Sequence, residues 1–220
     1  MRIALKLNHG TFDLELDDSL VPDKSLSNGG HPLNFVRLPA TKTYLDNIYS
    51  LLGGLPKGMK VVDMFAGIGL FARILKDSLQ PESWVSVELD PACIGMFLEP
   101  TAQVITGDVF KFDGFTGADL VICDFGTNTL LKVHRNLEGR HELFTRISSA
   151  RPRYWEVTDV GYYWIHLANH WPWYVERFGE QPHRDRYHVF FDRYMREQYG
   201  YRVVDYKTGG GCQNFLLEPV

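Results

Sequence analysis

A chain of 220 residues has room for one well-buried α/β domain with short appendages. Hydrophobic residues make up 45% and charged residues 23%, ordinary globular proportions that exclude wholesale disorder, and no apolar run is long enough to span a membrane. The net charge of −4 excludes a protein that coats nucleic acid by bulk electrostatics. The charge is uneven, however. Residues 1–128 carry 10 Lys/Arg against 16 Asp/Glu, and residues 129–220 carry 13 against 11, so an anionic partner is expected on the second part. Cys93, Cys123 and Cys212 include no C-x-x-C pair, which is neither a disulfide framework nor a zinc site. The opening M-R-I-A-L-K-L-N-H-G lacks the apolar core of a signal peptide, and a reducing cytoplasm is the expected location.

Residues 2–16 predict a β-hairpin. Ile3, Leu5 and Leu7 alternate with polar neighbours, as do Phe12, Leu14 and Leu16, about an Asn8-His9-Gly10 turn. Residues 17–34 are rich in Asp, Ser, Asn, Gly and Pro and predict a loop, so residues 1–40 form an expected extension and 41–220 the main domain. A helix over Thr43–Leu52 follows, with Leu45, Ile48, Tyr49 and Leu52 as its apolar stripe and Gly53-Gly54 ending it.

From Met59 onward strands and helices alternate, the pattern of a parallel sheet. Strands are expected at Val61–Met64, Trp84–Glu88, Val104–Thr106, Asp119–Cys123 and Tyr154–Thr158. The intervening helices are Leu70–Leu79, Pro91–Leu98 (opened by Asp90-Pro91) and one within Thr129–Ser149 that Gly139 is expected to break. After an irregular segment at 161–188, Tyr187–Tyr199 reads as a helix. Tyr201–Tyr206 and Asn214–Leu217 are joined at Thr208-Gly209-Gly210-Gly211 too tightly for a parallel crossover, so they form an antiparallel pair.

The chemistry gathers at Lys60–Lys76. Val61 and Val62 lead to Asp63 at a strand end, Phe65 opens the small-residue turn Ala66-Gly67-Ile68-Gly69, and Leu70, Phe71, Ile74 and Leu75 recur at helical spacing. Gly67 and Gly69 let backbone approach a ligand, and the helix start behind them offers free N–H groups. Asp63, Glu88, Asp108 and Asp124 each stand where a strand hands over to a loop, lining the crevice at the carboxyl edge of the sheet. Glu88 comes 19 residues after Gly69, close to the interval of about 20 at which an acid accepts both hydroxyls of a cofactor ribose. The plainer alternative is a solvated acid at a strand end. For Asp124 it is an N-cap of the following helix.

These motifs resemble a known family. D-M-F-A-G-I-G at 63–69 resembles motif I of the class I S-adenosylmethionine-dependent methyltransferases, in the D-x-F-[AC]-G-x-G form of tRNA guanine and uracil methyltransferases and DNA cytosine-C5 methyltransferases. V-E-L-D-P at 87–91 resembles motif II, G-D-V at 107–109 the acidic loop beside the adenine, and D-L-V-I-C-D-F-G at 119–126 motif IV. The closing hairpin is similar to the antiparallel seventh strand of that fold. Over residues 59–220 the resemblance implies a Rossmann-like, mostly parallel sheet and S-adenosylmethionine as cofactor. It implies that Phe65, Ala66, Gly67 and Gly69 pass the methionine part and that Asp63 orients its ammonium group. Glu88 would hold the ribose, Leu89 would pack on the adenine, and Asp108 and Val109 would meet its amino edge and face. Asp124 would sit nearest the transferred methyl and orient or deprotonate the acceptor.

The acceptor is less defined. Motif I favours an RNA or DNA base, and the segment 154–206 holds 16 of the 30 aromatics, among them Trp155, Trp164, Trp171 and Trp173, interleaved with arginines such as Arg177, Arg184 and Arg186. Plain packing of those rings over the sheet edge is the competing reading. Asp124-Phe125-Gly126-Thr127 lacks the prolines of the amino-group enzymes, and Cys123 lies before the acid rather than in a Pro-Cys context, so covalent C5 chemistry is not expected. His166 and His170 are spaced as metal ligands, but Leu167 replaces the glutamate of H-E-x-x-H and no metal is expected. A small-molecule methyltransferase, an NAD(P) oxidoreductase on Gly67-x-Gly69-x-x-Ala72, and a non-catalytic module that binds the same cofactor are the alternatives.

Overall fold

The computed structural model describes residues 2–15, 39–123, 137–159, 175–176, 179–180, 186–209 and 212–220. Val61, Val62 and Met64 make β3 (Lys60–Met64) apolar on both faces, and every residue of β6 (Leu120–Cys123) is buried. Strands of that kind belong in the middle of a covered parallel sheet, and β3 and β6 pair in parallel at its centre. Beside β3 lie β4 (Ser83–Glu88) and β5 (Gln103–Thr106); beside β6 lies β7 (Tyr154–Asp159). The closing strands β8 (Tyr201–Gly209) and β9 (Cys212–Pro219) complete seven strands in the order β5-β4-β3-β6-β7-β9-β8. All run parallel except β9, which is antiparallel to both β7 and β8.

One face of the sheet is covered by α4 (Leu137–Ala150) and α5 (Tyr187–Tyr199). Trp155 meets Phe144 and Tyr201 edge-on at 4.8 and 5.4 Å, and Phe191 stacks on Phe215 at 4.2 Å. Those aromatics of 154–206 are core, as the packing alternative anticipated, and they present no platform to a base. Trp164, Trp171, Trp173, Arg177, Arg184, His166 and His170 lie outside the described residues.

The opposite face carries α1 (Pro39–Leu52) and α2 (Leu70–Leu79). Over them folds the separate hairpin of β1 (Arg2–Leu7) and β2 (Gly10–Glu15). Leu5 and Leu14 are buried in that second core, so the period-2 pattern faces inward as read. The hairpin is pinned at its tip and side. Asn8 N–H donates to Asp46 Oδ1 (2.7 Å), His9 stacks on Tyr49 (4.9 Å), and Arg73 Nη2 donates to the Asp13 carbonyl (3.2 Å).

Three expectations need correction. α1 starts at Pro39 rather than Thr43, because proline is favoured in a first helical turn that needs no N–H. Gly139 lies within α4 instead of breaking it. The helix read as Pro91–Leu98 is the short α3 (Pro91–Gly95). Leu98 N–H leaves the helix to donate to the Ile68 carbonyl at 2.8 Å, which draws residues 97–98 onto the glycine turn. No described helix is long and apolar enough to cross a membrane.

Candidate active site

Asp63, near the carboxyl end of β3, is enclosed between the neighbouring strands β4 and β6 and is only 1% exposed. Ser86 Oγ approaches its Oδ2 at a long 3.4 Å, while Oδ1 has no hydrogen-bond partner among the described residues. Burial pushes the carboxyl up to about 7. The nearby charge of Glu88 adds to that rise, and hydrogen bonding from Trp84 and Ser86 opposes it. A buried oxygen without a donor marks a place where a cationic donor would be welcome.

The chain leaves β3 through an unusual turn. Phe65, Gly67 and Gly69 all have left-handed backbone, at φ of 57°, 55° and 73°. Ala66 N–H donates to the Val87 carbonyl (3.2 Å), Gly69 N–H to the Ala66 carbonyl (2.8 Å), and Gly67 N–H to Glu88 Oε2 (2.7 Å). The two glycines serve different ends. A Cβ on Gly67 would meet no atom of the described residues within 4 Å, so among them this residue borders open space. A Cβ on Gly69 would fall 2.4 Å from Cζ of Phe97, so this residue is small because a ring packs on it. Phe97 carries no sequence signal of this contact, since it reads there as one more apolar residue of a helix.

Glu88, at the end of β4, is not a solvated acid. Its Oε1 accepts the N–H groups of Leu89 (2.8 Å) and Asp90 (2.9 Å), and its Oε2 accepts that of Gly67. Leu89 is a large apolar side chain left 65% exposed. Asp90 caps α3 by accepting from Ala92 N–H (2.9 Å). After β5, Asp108 Oδ1 accepts from Phe110 N–H (3.0 Å) and Val109 is buried; Arg146 of α4 donates to the Phe110 carbonyl and so ties this loop down. Asp63, Glu88 and Asp108 therefore gather at one edge. Asp124 lies outside the described residues. Cys123, just before it, is fully buried with its thiol pushed far above the ordinary range by desolvation, which suits a small core residue.

Asp159 lies one residue past the predicted strand, which stops at Thr158. It too is an acid at a strand end, fully buried, 3.1 Å from Arg140 Nη2 and accepting from Tyr187 Oη (2.7 Å). The rule that singled out Glu88 would have found it with the strand drawn one residue longer. No group of three or more potential metal ligands occurs among the described residues.

No protein-family model and no curated protein matches the sequence. Solved structures do match the fold. A candidate S-adenosylmethionine-dependent methyltransferase from Streptococcus mutans superposes with a TM-score of 0.57 at 11% identity, over 99% of this chain and 55% of the other. The 16S rRNA methyltransferase RmtF, solved with S-adenosyl-L-homocysteine, gives 0.50 at 14% identity, over 86% and 66%. Magnesium protoporphyrin IX methyltransferase from Synechocystis, with bound S-adenosylmethionine, gives 0.50 at 11% identity, over 74% and 71%. The chain has the class I methyltransferase fold. In that fold the mostly parallel sheet opens at its carboxyl edge, where Asp63, the glycine turn and Glu88 stand.

The unequal glycines of this methyltransferase fold give a direct test. Gly69→Ala combines a positive φ with a collision against Phe97 and is expected to cost about 2–3 kcal/mol of stability. Gly67→Ala meets only the backbone strain, about 1 kcal/mol. Urea unfolding of the two variants measures the difference.

Proposed function

We propose that the protein is an S-adenosylmethionine-dependent methyltransferase, with a nucleic-acid base as the favoured acceptor. One observation carries the reading: a buried carboxylate oxygen of Asp63, without a partner among the described residues, beside an open-sided glycine turn and the Glu88 carboxylate. A sulfonium with an ammonium group matches that acidic crevice in charge. Asp63 Oδ1 takes the ammonium, directly or through water, and the turn Phe65-Ala66-Gly67, kept open by Gly67 and packed behind by Gly69, passes the methionine part. Glu88, with one acceptor position left beside its three backbone bonds, receives a ribose hydroxyl. Leu89, 65% exposed, would pack on the adenine, and Asp108 and Val109 would meet its amino edge and face. Bound there, the cofactor supplies an activated methyl group. The chain aligns the acceptor with it and excludes water. Asp124 is assigned to orient the acceptor or take its proton.

The position of β9 between β7 and β8, antiparallel to both, supports this reading over a dinucleotide-dependent oxidoreductase. The likeness of motif I to tRNA enzymes favours a base as acceptor, and a fold shared with an rRNA methyltransferase agrees with it. A fold shared with a porphyrin methyltransferase keeps a small molecule as the rival. Transfer of tritiated methyl from the cofactor to total RNA, to DNA and to small-molecule extracts separates the two. Label in RNA or DNA alone supports the proposal, and label only in the small-molecule fraction refutes the acceptor. Tight cofactor binding with label in none refutes the enzyme in favour of a binding module.

A further inference from the structure

Glu88 has more bonds than a ribose acid needs. A carboxylate offers about four acceptor positions, and backbone N–H groups already fill three of them here. Two of those donors, Leu89 and Asp90, follow Glu88 directly in the chain. The third, Gly67, comes from the turn after the neighbouring strand β3, 21 residues away in sequence.

That third bond reaches a segment that would not keep its shape unaided. Phe65 holds a left-handed backbone that a bulky residue seldom adopts, and Gly67 and Gly69 repeat it at every second position. Strained backbone persists only where its surroundings determine it more than once. Among the described residues its anchors are few. Phe97 and the Ile68–Leu98 bond fix the far end of the turn, and Ala66 N–H ties its start to Val87. Between them stands Gly67, with no atom near where its Cβ would be, held at its N–H by Glu88 Oε2 at 2.7 Å.

We propose that Glu88 is a clasp as well as a ribose acceptor: through Gly67 N–H it positions the glycine turn, and so supports the methionine end of the cofactor. The proposal rests on the methyltransferase reading for the identity of the ligand, while the clasp itself is a property of the free protein. Glu88 is a positioning residue in this second role. Binding at the two ends is then coupled through one side chain.

Glu88→Gln separates the roles. The amide oxygen still serves Leu89 and Asp90 and its group still bonds a hydroxyl, but its NH2 faces Gly67 N–H, donor against donor. Two ligands are titrated against wild type and variant by calorimetry: S-adenosylhomocysteine, which has ribose and amino acid parts, and 5′-methylthioadenosine, which has the ribose alone. The clasp predicts a loss at least about tenfold larger for S-adenosylhomocysteine, together with faster amide hydrogen exchange at residues 66–68 in the unliganded variant. Equal losses for both ligands, with unchanged exchange, would overturn it. Wild-type protein that binds neither ligand would sink the methyltransferase reading alone, and hydrogen exchange at Gly67 would then decide the clasp by itself.

Discussion

Arg140→Met is expected to lower the free energy of unfolding by about 3–5 kcal/mol, the largest stability effect of any single change described for this fold. Arg140 is 1% exposed and Asp159 fully buried, so the pair at 3.1 Å is closed off from water. The guanidinium also lies over the rings of Phe144 and Tyr194, 5.1 and 5.8 Å from their centroids. Methionine keeps the apolar contacts in part and removes the charge. What remains is a buried carboxylate from which the Arg140 guanidinium has been withdrawn, and removing one member of such a pair is expensive. Joining Arg140→Met to Asp159→Leu should recover part of the loss, because the buried carboxylate is then gone as well. Urea unfolding midpoints of the two singles and the double close the cycle. A change below about 1 kcal/mol for the single variant would show that the pair is reached by solvent.

Asp63→Asn should move stability and cofactor binding in opposite directions. Folding raises this carboxyl from its ordinary value to about 7, so the folded chain holds the proton more tightly than the unfolded one. The stability this contributes is complete below about pH 4 and is lost as pH rises through 7, leaving a buried charge in alkaline solution. Asparagine carries no such charge. The variant is therefore expected to be more stable than wild type by about 1–4 kcal/mol at pH 8, an advantage that shrinks towards pH 5. Binding runs the other way. An ammonium group favours the ionised carboxyl, so S-adenosylhomocysteine should bind wild type more tightly as pH rises, by up to about tenfold per unit until pH 7. In the variant that slope should vanish, with affinity at pH 8 reduced about 10- to 100-fold. Calorimetry and denaturation across pH 5–8 read both quantities. A variant that loses stability and keeps its affinity would remove Asp63 from the site.

The strands and helices were legible because each carries its own short-range signal. Tyr187–Tyr199 shows its apolar stripe at helical spacing and ends at Gly200, which has the left-handed φ of 70° that such an ending asks for. The tight turn between β8 and β9 dictated their antiparallel pairing before any geometry was known. Acids at strand ends were legible for the same reason, since a strand end is a local feature. Contacts between distant segments were not. Nothing in the run Ile94-Gly95-Met96-Phe97 announces that Phe97 packs on Gly69, and an eight-residue helix was therefore drawn where five residues suffice. Nor does the hairpin pattern of residues 2–16 say what its apolar face covers, which proves to be the core beneath α1 and α2. Arginine beside aromatic residues in the last third allows a base platform, but the pattern leans towards packing. Burial decides for packing at Trp155, Tyr187, Tyr194 and Tyr199, because a ring sealed in the core has no face left for a ligand.

The central claim is that the crevice beside Asp63 and Glu88 takes S-adenosylmethionine, and its most direct test is titration of the wild-type chain with S-adenosylhomocysteine, and separately with NAD, by isothermal calorimetry at pH 8. One equivalent of S-adenosylhomocysteine should bind, and NAD should give no heat of binding. Saturable binding of NAD, or no binding of S-adenosylhomocysteine, would contradict the claim.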